Sequence, residues 1–266
     1  MNALTALRLQ IEWGADEALA DEPLNRFVAV PAPALPVLAE ARVETPAASN
    51  VTAFAGKPRP AREISAELAA SAQTREELRQ ILEQYDACAL RVTATRLVFA
   101  DGNPDSGLMI VGDVPGAEED MEGRPFAGAA GRLLDKMLAG IGLDRGQCLL
   151  ANLIPWRPPG GRPPNNTEIV QCLPFLLRHI ELTRPRRLVL MGTITAQAVL
   201  GQKSGIHRLR GRWTDVELPG FSTPIPTLPM LHPNSLPNKP LTKREAWADM
   251  ITLKLALGND ELTETA

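Results

Sequence analysis

The stretch Leu108-Met-Ile-Val-Gly-Asp-Val-Pro-Gly116 decides the fold. Leu108 to Val111 offers no polar face, so it reads as a short strand buried on both sides, the kind found in parallel sheets covered by helices. Gly112 ends the run, and Pro115-Gly116 turns the chain. Towards the C-terminus the same alternation repeats. Gly131 to Gly140 sets Leu133, Leu134, Met137 and Leu138 at helical spacing, Cys148 to Ile154 reads as the next strand, and Thr167 to Thr183 as a helix in which Pro174 is a kink or a first-turn residue. Arg187 to Met191 is a third strand and Thr193 to Leu200 a third helix. Ile225 to Leu231 carries two prolines and is a poorer strand ending at His232; Lys243 to Leu257 closes the chain as a helix. Towards the N-terminus, Glu63 to Leu82 has the spacing of an amphipathic helix, broken or bent at Ser71 to Thr74. Strands joined through helices imply right-handed crossovers and a parallel sheet between helix layers.

The rest of the chain is organised differently. Residues 1–22 read as a short helical segment, and 23–60, rich in Ala, Val and Pro, as a flexible linker that cannot sustain a helix or bury a core. The globular part is expected over 61–258, with 259–266 as a disordered tail. Across 266 residues, 44% are apolar and 22% charged, the balance of a soluble globular protein. A formal charge of −3 argues against coating nucleic acid by bulk charge and leaves room for a local basic stripe. Three scattered cysteines do not make a secreted disulfide scaffold, and no apolar run is long enough to span a bilayer. With no signal or transit pattern at the start, a cytoplasmic location with no membrane partner is expected.

Ligands of open parallel sheets bind beyond the carboxyl ends of the strands. There the first strand runs into Gly112-Asp113, the second carries Asn152 and continues into Trp156-Arg-Pro-Pro-Gly160, the third ends at Gly192-Thr193, and the last presents His232-Pro233. Each has a plain structural reading: a glycine turn, a local cap, a histidine before proline. Phe126, inside Gly123-Arg-Pro-Phe-Ala-Gly128, reads by itself as core. Their joint placement at one sheet edge gathers an acid, an amide and an imidazole.

Taken in order, Gly112-Asp-Val-Pro-Gly-Ala-Glu-Glu-Asp120, Gly123-Arg-Pro-Phe-Ala-Gly128, Asn152 with Trp156-Arg-Pro-Pro-Gly160, and His232-Pro resemble the family 4 uracil-DNA glycosylases, over about Tyr85 to Leu257. The resemblance implies a three-layer α/β/α sandwich around a four-stranded parallel sheet. It also implies removal of uracil from DNA by a monofunctional glycosylase, the first step of base excision repair. An enzyme of this kind flips the nucleotide into a pocket. Phe126 would stack on the base, and Gly112 would line the pocket. The Asn152 amide, with one acceptor and one donor edge, would match uracil N3–H and O4, where cytosine presents the reverse pattern. His232 would donate to O2 as charge builds there. Asp113, where the family usually has Glu, would position the attacking water. The acidic run Glu118, Glu119, Asp120 and Glu122 also matches the family and is read mainly as a solvated or loop-capping set.

Lys203, His207, Arg208, Arg210 and Arg212 form a stretch without acidic residues, expected to touch DNA phosphates. In the family the segment after His-Pro inserts a bulky side chain into the duplex, which here would be Leu236. Family members generally hold an iron-sulfur cluster on four cysteines. Here only Cys88 and Cys172 fall at those positions, with Tyr85 and Trp156 at the other two, so no cluster and no metal site is expected. A monomer is expected, with the N-terminal helix as a candidate protein contact. Two other readings stand beside the glycosylase: a catalytically weak uracil- or damage-binding DNA protein of the same fold, motivated by Asp113 and the altered loop after His232, and a nucleotide-binding α/β protein. The last lacks a Gly-rich phosphate loop with its lysine.

Overall fold

The computed structural model describes residues 61–264 apart from Asn238. The expected N-terminal helical segment and the linker lie outside the described residues. Six strands form one sheet: β1 (Ala100–Gly102), β2 (Leu108–Gly112), β3 (Leu149–Asn152), β4 (Arg187–Met191), β5 (Thr214–Val216) and β6 (Ile225–Met230). Their spatial order is β1-β3-β2-β4-β6-β5. The four central strands are parallel, as expected, and β1 and β5 add short antiparallel edges. The helices are α1 (Ala61–Ser71), α2 (Arg75–Gln84), α3 (Ala89–Thr93), α4 (Ala117–Glu122), α5 (Gly128–Gly140), α6 (Asn166–Thr183), α7 (Thr193–Leu200), α8 (Ile206–Leu209) and α9 (Pro240–Glu264).

Every residue of β2 and β3 is buried, and so is all of β4 after Arg187, which explains why these strands read as unbroken apolar runs. From β2 the chain crosses through α4 and α5 to β3 on one side, then through α6 past β2 to β4 on the other. Right-handed crossovers in opposite directions put α5 and α6 on opposite faces. The packing agrees: α1 and α2 lie against α6, and α9 against α5 and β6. This is the three-layer arrangement. The reversal makes the carboxyl ends of β2 and β4 the switch point of the sheet, the edge at which sheets of this kind bind their ligands.

Local chemistry sets the boundaries. Thr74 caps α2 by accepting the Glu77 N–H, and Glu77 in turn accepts the Gln73 N–H, which makes the break between α1 and α2. Asn165 and Glu168 form a capping box at the start of α6; Pro174 sits inside that helix rather than in its first turn. The prolines of β6 are tolerated at the ends of its ladders. The Pro229 carbonyl accepts the Gly211 N–H on the β5 side, beyond the last β5 pair at Thr214 and Thr227. Its missing N–H therefore faces no strand. The last helix starts at Pro240 rather than Lys243 and continues past Leu257 to Glu264, into the stretch expected as tail.

Two expectations for the DNA face are corrected here. Arg210 donates through Nε and Nη2 to both carboxylate oxygens of Asp249, at 2.9 and 2.6 Å, and also to the Glu245 carbonyl. Asp249 is 1% exposed, so Arg210 neutralises a buried charge and holds α8 to α9 instead of facing solvent. Leu236, expected to enter the duplex, is 2% exposed and belongs to the core. Replacing Arg210 by Ala strands the Asp249 carboxylate and is expected to cost about 3–5 kcal/mol in a denaturant melt. Lower DNA affinity at unchanged stability would contradict this assignment.

Candidate active site at the carboxyl edge of the sheet

Gly112 and Asn152 are partners in the β2–β3 register, and the pairing continues as Leu153 N–H donates to the Gly112 carbonyl at 2.8 Å. The Asn152 side chain therefore stands directly beside Gly112. A Cβ added at Gly112 would lie 2.6 Å from Asn152 Oδ1, 2.8 Å from Phe126 Cζ and 3.3 Å from His232 Nε2. Amide, ring and imidazole, from three distant segments, surround one point that only a glycine leaves open. Phe126 and His232 are stacked, with centroids 5.6 Å apart and planes at 18°.

Asn234 N–H donates to His232 Nδ1 at 3.2 Å, so the neutral ring carries its proton on Nε2, the atom that faces Gly112. Burial drives the imidazole down to about 4, so it is neutral near pH 7. Asn152 Oδ1 is buried without a hydrogen-bond partner in the protein. A buried acceptor left open is a cost that a ligand donor would remove.

Asp113 follows Gly112 but aims elsewhere, towards the start of α7. Its Oδ1 accepts the Thr195 N–H at 2.8 Å, while the Thr195 hydroxyl donates to the Gly112 carbonyl at 2.8 Å. Gly192 has a φ of 115°, and a Cβ there would come within 2.2 Å of the Asp113 carboxylate, so the glycine permits this approach. Burial raises the Asp113 carboxyl above the usual range, and the hydrogen bonds from α7 oppose the shift.

The acidic run is not simply a solvated face: Glu119 and Asp120 are buried. Asp120 accepts Thr95 N–H and Oγ1–H, both at 2.8 Å, and so ties down the loop before β1. Glu119 accepts Gly116 N–H on Oε2 and Phe126 N–H on Oε1, each at 2.6 Å, and Asn152 Nδ2–H on Oε1 at 3.5 Å. Loop capping thus holds for Glu119, and its contacts with Phe126 and Asn152 leave no mark in the local sequence. The Gly116-x-x-Glu119 spacing, which lets a glutamate at the third helical position take the N–H of the residue before the helix, is the available signal. Of the basic stretch, Lys203, Arg208 and Arg212 are exposed, and exposed His207 lies 3.5 Å from Glu245.

Residues 99–251 match the family model of the Uracil DNA glycosylase superfamily. The chain is 34% identical over 166 residues to a type-4 uracil-DNA glycosylase of Archaeoglobus fulgidus, covering 61% of this chain and 82% of that one. It belongs to the type-4 uracil-DNA glycosylase family. The Thermotoga maritima member is 38% identical over 168 residues, covering 61% of this chain and 85% of the relative. The Pyrobaculum aerophilum member is 40% identical over 125 residues; that match covers 47% of this chain and 64% of the relative, just under two thirds of its length.

For this family member, the four positions expected to bear cluster ligands do pack together, but they do not fit a four-thiolate group. Cys88 and Cys172 are wholly buried and hydrogen-bonded to each other, which lowers the Cys88 thiol to about 7. The Tyr85 ring stacks on Trp156 at 6.2 Å and meets Phe175 edge-on at 5.0 Å, and its hydroxyl is taken by Ser65 at 2.8 Å. An indole N–H is donor-only and cannot replace a thiolate. Protein purified without chelators is expected to contain no stoichiometric iron and no cluster absorbance; finding both would overturn this reading. Among the described residues, no helix is long and apolar enough to cross a membrane.

Proposed function

We propose that this chain is a monofunctional uracil-DNA glycosylase that everts uracil from DNA and hydrolyses its N-glycosidic bond. The observation that carries the reading is the convergence of Asn152 Oδ1, Phe126 and His232 Nε2 on the space above Gly112. These three groups suit a flat base with a donor at N3 and an acceptor at O2. Extrusion costs a few kcal/mol, and stacking on an aromatic ring returns roughly 1–3 kcal/mol.

As the glycosidic bond breaks, negative charge gathers at uracil O2. Neutral His232 donates Nε2–H to it, an interaction whose loss typically costs about 10²–10³ in rate. Asp113, anchored through Oδ1 to the start of α7, holds the water that attacks the sugar carbon. Lys203, Arg208 and Arg212 contact phosphates, which fixes the strand without reading sequence.

The ionisation states give a signed pH dependence. The mechanism needs a neutral His232 and an ionised Asp113. Because the imidazole is held near 4 and the carboxyl is raised, both forms are lost as pH falls and neither is lost as pH rises. The single-turnover rate of base release is therefore expected to fall on the acid side and not to fall as the pH is raised towards 8. A decline through about pH 6.5 on raising the pH would instead mark a cationic histidine acid.

The direct test is uracil release from single-stranded and U:G oligonucleotides by the wild-type chain, read as alkali-labile sites. Release at catalytic rates is expected, with dependence on Asn152 and His232. Binding of uracil-containing DNA without release would favour the second reading, a uracil- or damage-binding relative. The buried Leu236, which leaves no bulky wedge at that position, is the observation on its side.

A further inference from the structure

The Asn152 amide has two ends, and the protein treats them unequally. Nδ2 donates to Glu119 Oε1, whereas buried Oδ1 has no partner and faces the space above Gly112. Turning the amide over about the Cβ–Cγ bond exchanges oxygen and nitrogen with almost no change of shape, so packing does not select the orientation. Chemistry depends on it. With Oδ1 beside base N3 and Nδ2–H beside the position-4 substituent, the edge matches uracil. Reversed, it offers a donor to N3 and an acceptor at position 4, the complement of cytosine.

Glu119 supplies the asymmetry. An ionised carboxylate only accepts, so an overturned amide would set Oδ1 against Oε1 with no proton between them. Nor can Glu119 swing aside, because the Gly116 and Phe126 N–H groups hold its two oxygens at 2.6 Å each. The amide has two N–H bonds: with Oδ1 and the N–H cis to it set against uracil N3–H and O4, the N–H trans to Oδ1 is left for Glu119. The same carboxylate fixes the backbone of Phe126, a non-glycine residue at a φ of 51° whose carbonyl Arg145 Nη2 holds at 2.6 Å.

We propose that Glu119 is a specificity-positioning residue that locks the Asn152 amide in the orientation that accepts uracil and rejects cytosine. The proposal rests on the glycosylase reading above.

The test compares uracil and cytosine release from otherwise identical single strands by wild type, Glu119→Met, Glu119→Gln, Asn152→Ala and the Glu119→Met/Asn152→Ala double variant. Methionine fills the space without accepting a hydrogen bond. Glutamine retains one oxygen, and its least costly orientation keeps that oxygen on Phe126 N–H and Asn152 Nδ2–H while giving up only the Gly116 bond. Glu119→Met is expected to lose about 10²-fold in kcat/KM for uracil, the scale of a misplaced contact, and to narrow the uracil-to-cytosine ratio by roughly tenfold. Glu119→Gln is expected to retain the ratio. In the Asn152→Ala background, Glu119→Met should cost about tenfold less than in wild type, since the part of its effect that passes through the amide is gone and only the part that passes through the Phe126 backbone remains.

A folded Glu119→Met with the wild-type ratio, or with equal losses in both backgrounds, overturns the proposal. If that variant does not fold, the wild-type chain still reports. The Asn152 NH2 pair, assigned by its disappearance in Asn152→Ala, should show a nuclear Overhauser contact to the Phe126 N–H, since both groups donate to Glu119 Oε1. An assigned pair without that contact overturns the lock. Wild type inactive on uracil overturns the glycosylase reading and this inference together. Wild type active with an insensitive ratio overturns this inference alone.

Discussion

Asn152→Ala is expected to lower kcat/KM for uracil release by about 10³-fold, because both polar groups on one edge of the base would then be buried without partners. Each such group costs roughly 1–3 kcal/mol, so two account for a loss of that order. Asn152 is 6% exposed, and water has little room to replace the amide. The fold should survive: Oδ1 already lacks a partner, and Glu119 keeps the Gly116 and Phe126 N–H groups when Nδ2 is removed. Single-turnover kinetics beside a thermal melt separate the two quantities. A variant with near-wild-type uracil release would remove Asn152 from recognition.

The second large effect comes from adding a single methyl group. Gly112 is an ordinary strand residue without a positive φ, so its backbone would accept alanine; the obstacle is the space occupied. The new Cβ would lie closer than 3 Å to both Asn152 Oδ1 and Phe126 Cζ, and 3.3 Å from His232 Nε2. It therefore displaces the groups proposed to recognise the base. Gly112→Ala is expected to lose about 10²-fold in kcat, the scale of a 1 Å misplacement, with overpacking of about 1–3 kcal/mol in stability. Affinity for undamaged DNA should hold, since the proposed phosphate contacts lie on the 203–212 segment. A fully active Gly112→Ala would mean that these groups do not share one volume.

The contrast between what the chain announces and what it conceals follows from the range of the interactions. Runs such as Leu108 to Val111 and Arg187 to Met191 declare themselves because burial on both faces demands continuous apolar residues, and the helix at Thr193–Leu200 has the bounds its sequence implies. The edge strands Ala100–Gly102 and Thr214–Val216 carry no such pattern: each has three residues, a central aspartate and one neighbour strand. In the site, Gly112, Phe126, Asn152 and His232 were legible through their order along the chain and their resemblance to a known family.

Glu119 and Arg210 were not legible in the same way, and for one reason. A charged residue in a charged run looks solvated unless its distant partners are known. Glu119 is buried by donors at 116, 126 and 152, and Arg210 by a carboxylate 39 residues further on. Leu236 illustrates the converse, an apolar side chain four residues after His232 that serves packing.

The most direct measurement is a crystal structure of the chain with a single strand containing 2′-fluoro-2′-deoxyuridine, whose glycosidic bond resists cleavage. The account predicts an everted uracil lying against Phe126, with N3–H on Asn152 Oδ1 and O2 on His232 Nε2. A base left among its neighbours, or extruded to any other surface while this space stays empty, would contradict it.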